Sequence, residues 1–371
     1  MPKTFRKWIF AKPMADDELG PDQFALQELP LPDLQPDQAL VRVKLINIHS
    51  ATRLRMASGM TKLGDTDRSN YACAEVIASR DKTFKEGDVV ACQAGWQDHQ
   101  VISSKDPSVG YGAASEKVAA LNGTNSQWTY VFRPAMVKMW PPEVLTDMFG
   151  TSGMTAYFGM RECGPLQPGD RVAVAAATGS VGSIAAQLAK IAGCHVVGFG
   201  GGTERCRWVT DNLGIDACLD YRANDFDAQL DAAFPDGVDI YCDGVGGALT
   251  ETVVARMNRN GRILSYGSAA AFYADRLDTP AQRPPLRRMF GISEKLENIL
   301  QEKNIRAEAW IVDAFYHERL KAEDDLSSLL RSGALKVVNN VVDGFDKLPH
   351  AIVGLYKGTR SGKLQVRFEP H

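Results

Sequence analysis

Residues 172–183 of this chain read VAVAAATGSVGS, a short apolar run that turns at glycines into a segment of small residues. Gly179 and Gly182 have no side chains, so the backbone there is open to the close approach of a pyrophosphate. The pattern predicts a helix over 181–192, whose first free amides and dipole would attract that anion. Glycine turns also precede helices in many α/β proteins that bind nothing there, and this stretch alone leaves both interpretations open.

The next residues complete a strand, helix and strand unit of the kind that binds dinucleotides. A second strand is predicted over 194–200, and glycine stands at its tip, where an NAD-specific site has an acidic residue for the ribose 2′-hydroxyl. Arg205 and Arg207 lie just behind this tip. Tyr221-Arg222 ends the third strand, so a 2′-phosphate would have cationic partners. The pattern favours NADP(H) over NAD(H); the alternative is that these arginines are solvated surface charges.

Length and composition limit the class of protein. The chain has 371 residues, too many for one small core, and two domains are expected. Apolar residues make up 44% and charged residues 23%, as in an ordinary globular protein. The formal net charge of −3 gives no polybasic field, so neither nucleic acid nor an anionic membrane is expected as a partner. The opening Met1-Pro2-Lys3 has no apolar signal core, and no stretch approaches a membrane span in length, so we expect a cytoplasmic protein.

The cysteines predict reduced thiols in the core. They lack Cys-x-x-Cys spacing, and their odd number argues against a full disulfide framework. The seven are Cys73, Cys92, Cys163, Cys194, Cys206, Cys218 and Cys242.

The rest of the chain predicts two kinds of structure. Residues 1 to about 100 predict short strands separated by turns, an all-β opening domain. Residues 103–127 mix small and polar residues and predict either a lid or an extended loop. Helical periodicity begins near Glu143 and is broken at residues 150–157, which we expect to bridge two domains. Strands and helices then alternate as far as residues 263–266.

Several motifs in the right order resemble one known superfamily. They are GMTAYFG at 153–159, AATGSVG at 176–182, CHVVG at 194–198, DGVGG at 243–247, GRI at 261–263 and the segment from Gly344-Phe345 to Gly362-Lys363. On these motifs the chain resembles the medium-chain dehydrogenases/reductases. Within them it is similar to the zinc-independent, NADPH-dependent alkenal, leukotriene B4 (prostaglandin) and curcumin reductase branch, over nearly its whole length.

The resemblance implies an α/β protein with two domains. A GroES-like β-barrel domain would comprise residues 1–148 and 327–371, and a Rossmann domain with a doubly wound parallel sheet would comprise residues 149–326. It further implies a cleft for nicotinamide and substrate, NADP(H) as the cofactor, and a homodimer. Carried over residue by residue, the cofactor contacts fall on Thr151, Thr155, Thr178, Gly179, Ser180, Val181, Gly182, Gly202, Arg205, Tyr221, Gly244, Val245, Tyr266, Gly267, Ser268 and Arg360.

The resemblance to the zinc-containing alcohol dehydrogenases fails at the metal ligands. Their first catalytic cysteine aligns with Ile48, which cannot ligate, and no Gly-His-Glu stands near Asn70-Tyr71-Ala72. No four-cysteine cluster offers a structural zinc site. His49 alone leaves two alternatives, a structural residue or a functional one, and no metal is predicted.

With NADPH and no metal, the resemblance implies hydride transfer to the β-carbon of an activated alkene, followed by protonation of the enolate. A tyrosine hydroxyl would donate a hydrogen bond to the carbonyl oxygen, where charge develops. The family tyrosine aligns with Phe272, and Tyr273 is displaced by one. Tyr273 is the predicted catalytic residue, with packing against the cofactor cleft as the alternative. Other candidate donors are His49, Ser50 and Tyr111.

The function predicted from the sequence is therefore an NADPH-dependent, zinc-independent reductase that transfers a hydride to the activated C=C bond of an α,β-unsaturated carbonyl compound. Two alternatives remain open at this point. One is a quinone or carbonyl reductase on the same scaffold. The other is a non-catalytic NADPH-binding protein.

Overall fold

The computed structural model of the chain describes residues 3–14, 19–57, 59–106, 129–162, 165–266, 294–309, 312–357 and 361–368. The chain divides into two units. The first unit comprises Met1–Gly150, Asp313–Arg319 and Asn339–His371, and the second comprises Thr151–Val312 and Leu320–Val338. The domain ranges 1–148 with 327–371 and 149–326 stay a prediction.

The strands of the described residues are, in chain order, β1 (Thr4–Phe10), β2 (Phe24–Pro30), β3 (Ala39–Asn47), β4 (Ala72–Ser79), β5 (Val89–Cys92), β6 (His99–Ile102), β7 (Thr129–Val131), β8 (Arg171–Val174), β9 (His195–Gly200), β10 (Ala217–Asp220), β11 (Val238–Asp243), β12 (Met257–Ser265), β13 (Arg306–Ala309), β14 (Asn339–Asp343) and β15 (Lys363–Arg367).

The α-helices of the described residues are α1 (Ala51–Ala57), α2 (Pro134–Met139), α3 (Pro142–Asp147), α4 (Thr151–Glu162), α5 (Ser180–Ile191), α6 (Thr203–Leu213), α7 (Phe226–Ala233), α8 (Gly247–Ala255), α9 (Glu294–Glu302), α10 (Arg319–Arg331) and α11 (Leu348–Lys357). Short 3₁₀ helices lie at Pro21–Gln23, Val312–Glu318 and Phe345–Lys347.

The first unit is built on a seven-stranded sheet. Its order is β14-β15-β3-β4-β5-β7, with β6 pairing with β3, and β14-β15 is its parallel pair. Apolar residues of β3 and β4 bury one core together with Trp96, Phe345 and Phe368. The predicted strands of the opening domain are confirmed by β1–β6, but the prediction that it is all-β is wrong at α1 (Ala51–Ala57).

The second unit is a parallel sheet of order β10-β9-β8-β11-β12-β13. In chain order this is 3-2-1-4-5-6, the order of the doubly wound dinucleotide-binding fold. The chain moves outward from β8 to β10, then returns to pair β11 with the other side of β8. Because such crossovers are right-handed, the two halves cover opposite faces of the sheet. The prediction of a doubly wound parallel sheet is confirmed.

Residues 172–174 of β8 are all apolar because β8 lies in the middle of this sheet, between β9 and β11. Val172, Ala173 and Val174 are fully buried, since β8 has a strand on each side and helices over both faces. The turn into α5 begins directly after it. The structure starts this helix at Ser180, one residue before the predicted start.

The predicted break between helices exists, but it is shorter than residues 150–157: α3 ends at Asp147 and α4 begins at Thr151. The boundary between the two units falls at this point, between Gly150 and Thr151. The structure has an unbroken helix from Thr151, and Gly153 lies inside it. Ser152, Gly153 and Ala156 are buried, and α4 packs against α5. Small residues therefore serve close helix packing here, a tertiary effect that outweighs the low helix propensity of glycine.

None of the described helices is long and apolar enough to cross a membrane. Most of the 103–127 stretch, predicted as a lid or loop, lies outside the described residues.

Candidate coenzyme site

The turn after β8, residues 175–179, is fixed by its neighbours in the sheet; we call it the first turn. The amide of Ala175 donates to the carbonyl oxygen of Cys242 (2.9 Å), and that of Ala177 donates to Phe199 (3.0 Å). Ala176 has a φ of 51°, in the left-handed region. A Cβ on Gly182 would overlap the Ala176 carbonyl oxygen. Glycine at 182 is therefore what allows α5 to start so close to the strand.

The N-terminus of α5 offers backbone amides to an anion. Gly179 is its N-cap residue, and no side chain caps this end. The first amides of a helix have no partners within the helix, so those of Val181 and Gly182 can face a ligand, and the helix dipole favours negative charge there. The predicted pyrophosphate residues, including the buried Thr178, are brought together in this turn.

The second turn, residues 200–203, follows β9 and is held by a carboxylate. Asp220, at the end of β10, accepts hydrogen bonds from the Gly202 amide (2.9 Å), the Thr203 hydroxyl (3.3 Å) and the Arg222 amide (3.0 Å). The hydrogen bond from Gly202 is the largest cause that lowers the pKa of Asp220. Gly202 has a φ of 102°, which favours glycine. Asp220 thus fixes the backbone of the turn while its charge is satisfied by local donors.

Cationic and phenolic side chains surround this second turn. Arg205 Nη2 donates to Thr178 Oγ1 (2.6 Å), and Nη1 donates to the Gly201 carbonyl oxygen (3.4 Å). A Cβ placed on Gly201 would lie 3.0 Å from Tyr221 Oη and 3.1 Å from Arg222 Cζ. Burial lowers the pKa of Arg205, but a guanidinium remains charged. We call Gly201, Arg205, Tyr221 and Arg222 the arginine pocket.

The third turn, residues 243–246, follows β11. Asp243 is fully buried, and its Oδ1 accepts from the amides of Val245 and Gly246, both at 2.9 Å. Its Oδ2 accepts from the Thr250 hydroxyl (2.6 Å). Burial raises the pKa of Asp243, against the opposing effect of these hydrogen bonds. The turn is therefore fixed from inside the protein.

Tyr266 connects the third turn to the first. Its hydroxyl donates to the Ala175 carbonyl oxygen (3.1 Å), and its amide donates to Asp243 (2.9 Å). A Cβ on Gly244 would lie 2.5 Å from Tyr266 Cε2, so only glycine lets the ring lie there. Burial raises the pKa of Tyr266, which keeps its hydroxyl protonated. The ends of β8, β9, β11 and β12 thus form one edge at the switch point of the sheet, where such folds bind ligands.

The remaining predicted contacts divide into two groups. Thr151 is exposed at the start of α4, and Thr155 is half-buried one turn later. Tyr273 and the predicted cofactor residues Gly267, Ser268 and Arg360 lie outside the described residues.

Two residues of the site were not predicted from the sequence, Asp220 and Asp243. Each is an aspartate at the carboxyl end of a strand, and Asp243 is followed directly by glycine. Aspartates at such positions commonly accept hydrogen bonds from backbone amides two or three residues on. That signal was available in the sequence.

The other candidate residues belong to the first unit. Ile48 is buried, and its amide donates to Leu364 (2.9 Å). His49 Nε2 donates to the Ser69 carbonyl oxygen (3.1 Å), and burial, with a smaller effect of Lys363, lowers the pKa of His49 to about 4. Among the described residues, no group of three or more His, Cys, Asp or Glu side chains could hold a metal ion. Tyr111 lies outside the described residues.

The sheet order and the three glycine turns define a dinucleotide-binding protein of the Rossmann class. Two family models match the chain, "Zinc-binding dehydrogenase" at residues 180–284 and "N-terminal domain of oxidoreductase" at residues 6–109. The 2-alkenal reductase (NADP(+)-dependent) of Nicotiana tabacum is 30% identical over 301 residues, 80% of this chain and 76% of that protein. The NADPH-dependent curcumin reductase of Escherichia coli (strain K12) is 29% identical over 367 residues, 98% of this chain and 96% of that protein.

A solved structure agrees with these relatives. CurA from Vibrio vulnificus in complex with NADPH superposes with a TM-score of 0.78 at 27% identity, covering 99% of this chain and 100% of that one. The chain belongs to the zinc-independent alkenal, prostaglandin and curcumin reductase branch of the medium-chain dehydrogenase/reductase family. The predicted fold class, a GroES-like barrel domain plus a Rossmann domain, is confirmed.

Proposed function

We propose that this protein is an NADPH-dependent reductase that transfers a hydride to the activated C=C bond of an α,β-unsaturated carbonyl compound. The observation that carries the coenzyme choice is the arginine pocket. Arg205 joins Thr178 of the first turn to Gly201 of the second, and glycine stands at the tip of β9 where NAD-specific sites carry an acidic residue. The choice of an activated alkene as substrate is supported by the family branch, in which relatives are named 2-alkenal and curcumin reductases.

Different groups of residues in the second unit would hold different parts of the coenzyme. The first turn and the start of α5 suit the pyrophosphate, because they offer amides and exclude side chains. The arginine pocket, with Gly202 beside it, suits the 2′-phosphate, because two guanidinium groups and a phenol surround a glycine backbone. The third turn and Tyr266 come next along the same edge. We propose coenzyme contacts at Thr151, Thr155, Thr178, Gly179, Ser180, Val181, Gly182, Gly202, Arg205, Tyr221, Gly244, Val245, Tyr266, Gly267, Ser268 and Arg360.

NADPH, when bound, supplies the hydride. The chain must orient the acceptor and place a hydrogen-bond donor on its carbonyl oxygen, where negative charge develops. Tyr273 is our candidate donor, on the resemblance alone. His49 is a weaker candidate, because its Nε2 proton already binds Ser69 and a pKa of about 4 leaves it neutral at pH 7.

We also propose that the protein acts as a homodimer in the cytoplasm, on a small-molecule substrate, with neither nucleic acid nor a membrane as partner. The dimer is proposed on the family resemblance. Size-exclusion chromatography with light scattering tests this point, and a monomeric mass at micromolar concentration would contradict it.

The function is tested by following the product as well as the coenzyme. Enals, enones, quinones and saturated carbonyls are offered with NADPH deuterated at C4 of the nicotinamide, and each product is analysed by mass spectrometry and NMR. We expect deuterium on the β-carbon, with the carbonyl retained. Deuterium on the carbonyl carbon would indicate a carbonyl reductase, turnover of quinones alone a quinone reductase, and tight NADPH binding without turnover a non-catalytic protein.

A further inference from the structure

Two cysteines lie together beneath the arginine pocket. Cys206 lies near the N-terminus of α6, and Cys218 lies on β10 opposite Gly198 of β9. A Cβ on Gly200 would lie 3.0 Å from the sulfur of Cys206, 3.7 Å from that of Cys218 and 2.7 Å from the Thr178 methyl carbon. Both thiols therefore pack into the space that Gly200 leaves open on β9. Thr178, which accepts a hydrogen bond from Arg205, borders the same space.

The surroundings of Cys206 favour its thiolate. The hydrogen bond from the Cys218 thiol is the largest cause that lowers the pKa of Cys206, and the Gly200 amide and Arg205 act in the same direction, while burial and Asp220 oppose them. The same thiol–thiol hydrogen bond, with burial, raises the pKa of Cys218. A cysteine near a helix N-terminus and an arginine, with a second thiol at hand, is the environment in which thiols react with oxidants.

We propose that Cys206 and Cys218 form a modification site, a thiol pair that hydroperoxides oxidise to a disulfide. The Cys206 thiolate attacks one peroxide oxygen, so that an S–O bond forms and the O–O bond breaks, and the leaving oxygen takes a proton to give water from hydrogen peroxide or an alcohol from an organic hydroperoxide. The Cys218 thiol then attacks the Cys206 sulfur, an S–S bond forms, and the sulfenic oxygen leaves as water. The two sulfurs lose two electrons in total, and the peroxide is reduced by the same two.

The disulfide would act on coenzyme binding, a consequence that rests on the proposed function. The disulfide would tie the N-terminal end of α6 to β10, and Arg205 directly precedes Cys206 at that end of the helix. Tyr221 and Arg222 follow β10 directly. Both sides of the arginine pocket are thus attached to the two elements that the bond would draw together. We expect oxidation to weaken NADPH binding and, by linkage, bound NADPH to oppose oxidation.

The first experiment needs only the wild-type protein. Reduced protein is treated with stepwise hydrogen peroxide, and each cysteine is followed by differential alkylation and peptide mass spectrometry. Cys206 and Cys218 should be lost together, as a linked peptide that dithiothreitol releases. Cys92 serves as the internal control, because it is buried and its pKa is raised to about 12 by burial. Oxidation of Cys92 while the pair stays reduced, or linkage of Cys206 to a different cysteine, would overturn the proposal.

The order of the two steps is tested in the Cys218→Ser variant, where dimedone, which reacts with sulfenic acids, should label Cys206 after peroxide. Absence of the label would overturn that order of steps.

The second experiment measures NADPH affinity by coenzyme fluorescence before and after peroxide. We expect Kd to rise at least about fivefold in the wild type, the low end of ordinary coupling between two sites. Peroxide should leave the Kd of Cys206→Ser unchanged. Equal Kd values for reduced and oxidised wild type would overturn the coupling. If neither form binds NADPH, the proposed function fails and the coupling with it, while the linked peptide still decides the modification site.

Discussion

The second and third turns use the same device in different surroundings. In each, an aspartate accepts hydrogen bonds from two backbone amides, Asp220 from Gly202 and Arg222, and Asp243 from Val245 and Gly246. Asp220 is partly exposed and its pKa is lowered, whereas Asp243 is fully buried and its pKa is raised.

The difference shows that solvent access decides whether an aspartate that accepts hydrogen bonds from turn amides has a lowered or a raised pKa. Where water reaches the carboxylate, the hydrogen bonds outweigh desolvation and the charged form is favoured. Where water is absent, desolvation is the larger effect, and removing the carboxylate would leave buried donors unsatisfied. We therefore expect the third turn to control stability and the second turn to control coenzyme choice.

The largest effect should come from Asp243→Ala. The change leaves the amides of Val245 and Gly246 and the Thr250 hydroxyl without their acceptor, and each such loss costs roughly 1–3 kcal/mol. Urea denaturation should show the free energy of unfolding lower by about 3 kcal/mol or more. Asp220→Ala is the matched control, and it should lose only about 1 kcal/mol because water replaces the acceptor. Equal losses at the two positions would refute the comparison.

Arg205→Ala should come next, with its effect on coenzyme selectivity. Losing a charge-assisted hydrogen bond to a phosphate lowers kcat/KM for NADPH by about 10- to 100-fold. The value for NADH should change much less, because NADH lacks the 2′-phosphate. Arg207→Ala is the control on the same helix, since Arg207 is exposed. A parallel loss with both coenzymes would mean that Arg205 is structural.

The pH dependence of stability should differ in sign between the two aspartates. The lowered pKa of Asp220 stabilises the fold above the ordinary carboxyl pKa, about 3.9, and this contribution disappears as pH falls through the folded-state pKa. The raised pKa of Asp243 makes the wild type lose stability as pH rises through that ordinary value. Free energies of unfolding of the wild type minus Asp220→Asn and minus Asp243→Asn, taken from pH 3 to pH 7, should therefore slope in opposite directions. Slopes of the same sign would be inconsistent with the burial argument.

The smallest effect is expected for Gly201→Ala. The new methyl group would meet Tyr221 Oη at 3.0 Å and Arg222 Cζ at 3.1 Å, the far ends of flexible side chains on an exposed surface. These ends can move, so thermal stability should hold while the KM for NADPH rises by a few-fold, about 1 kcal/mol of binding free energy. A fall in Tm without any change in KM would place Gly201 outside the pocket.

How far the sequence predicts this molecule depends on the range of the interactions. The strand and glycine turn around Gly179 were predictable, because apolar runs and glycines have local meanings. The helix through Gly153 was not, because its buried small residues are explained by packing against α5, which is distant in the chain. The nearness of Arg205 to Thr178 depends on the pairing of β8 with β9. The same holds for Cys206 and Cys218, twelve positions apart, which the sequence shows only as two scattered thiols.

The order of strands in the first unit has a consequence for synthesis on the ribosome. β3 lies between β4 and β15, and its partner in β15 is far along the chain, with Gln365 opposite Asn47. Every residue of the second unit leaves the ribosome before β15 does. The parallel sheet can therefore complete itself while residues 45–47 of β3, which β6 leaves uncovered, still lack their partner strand, and an open strand edge invites pairing with other chains. The nascent protein is most in need of protection, by chaperones or by fast completion, in the interval between the synthesis of β3 and that of β15.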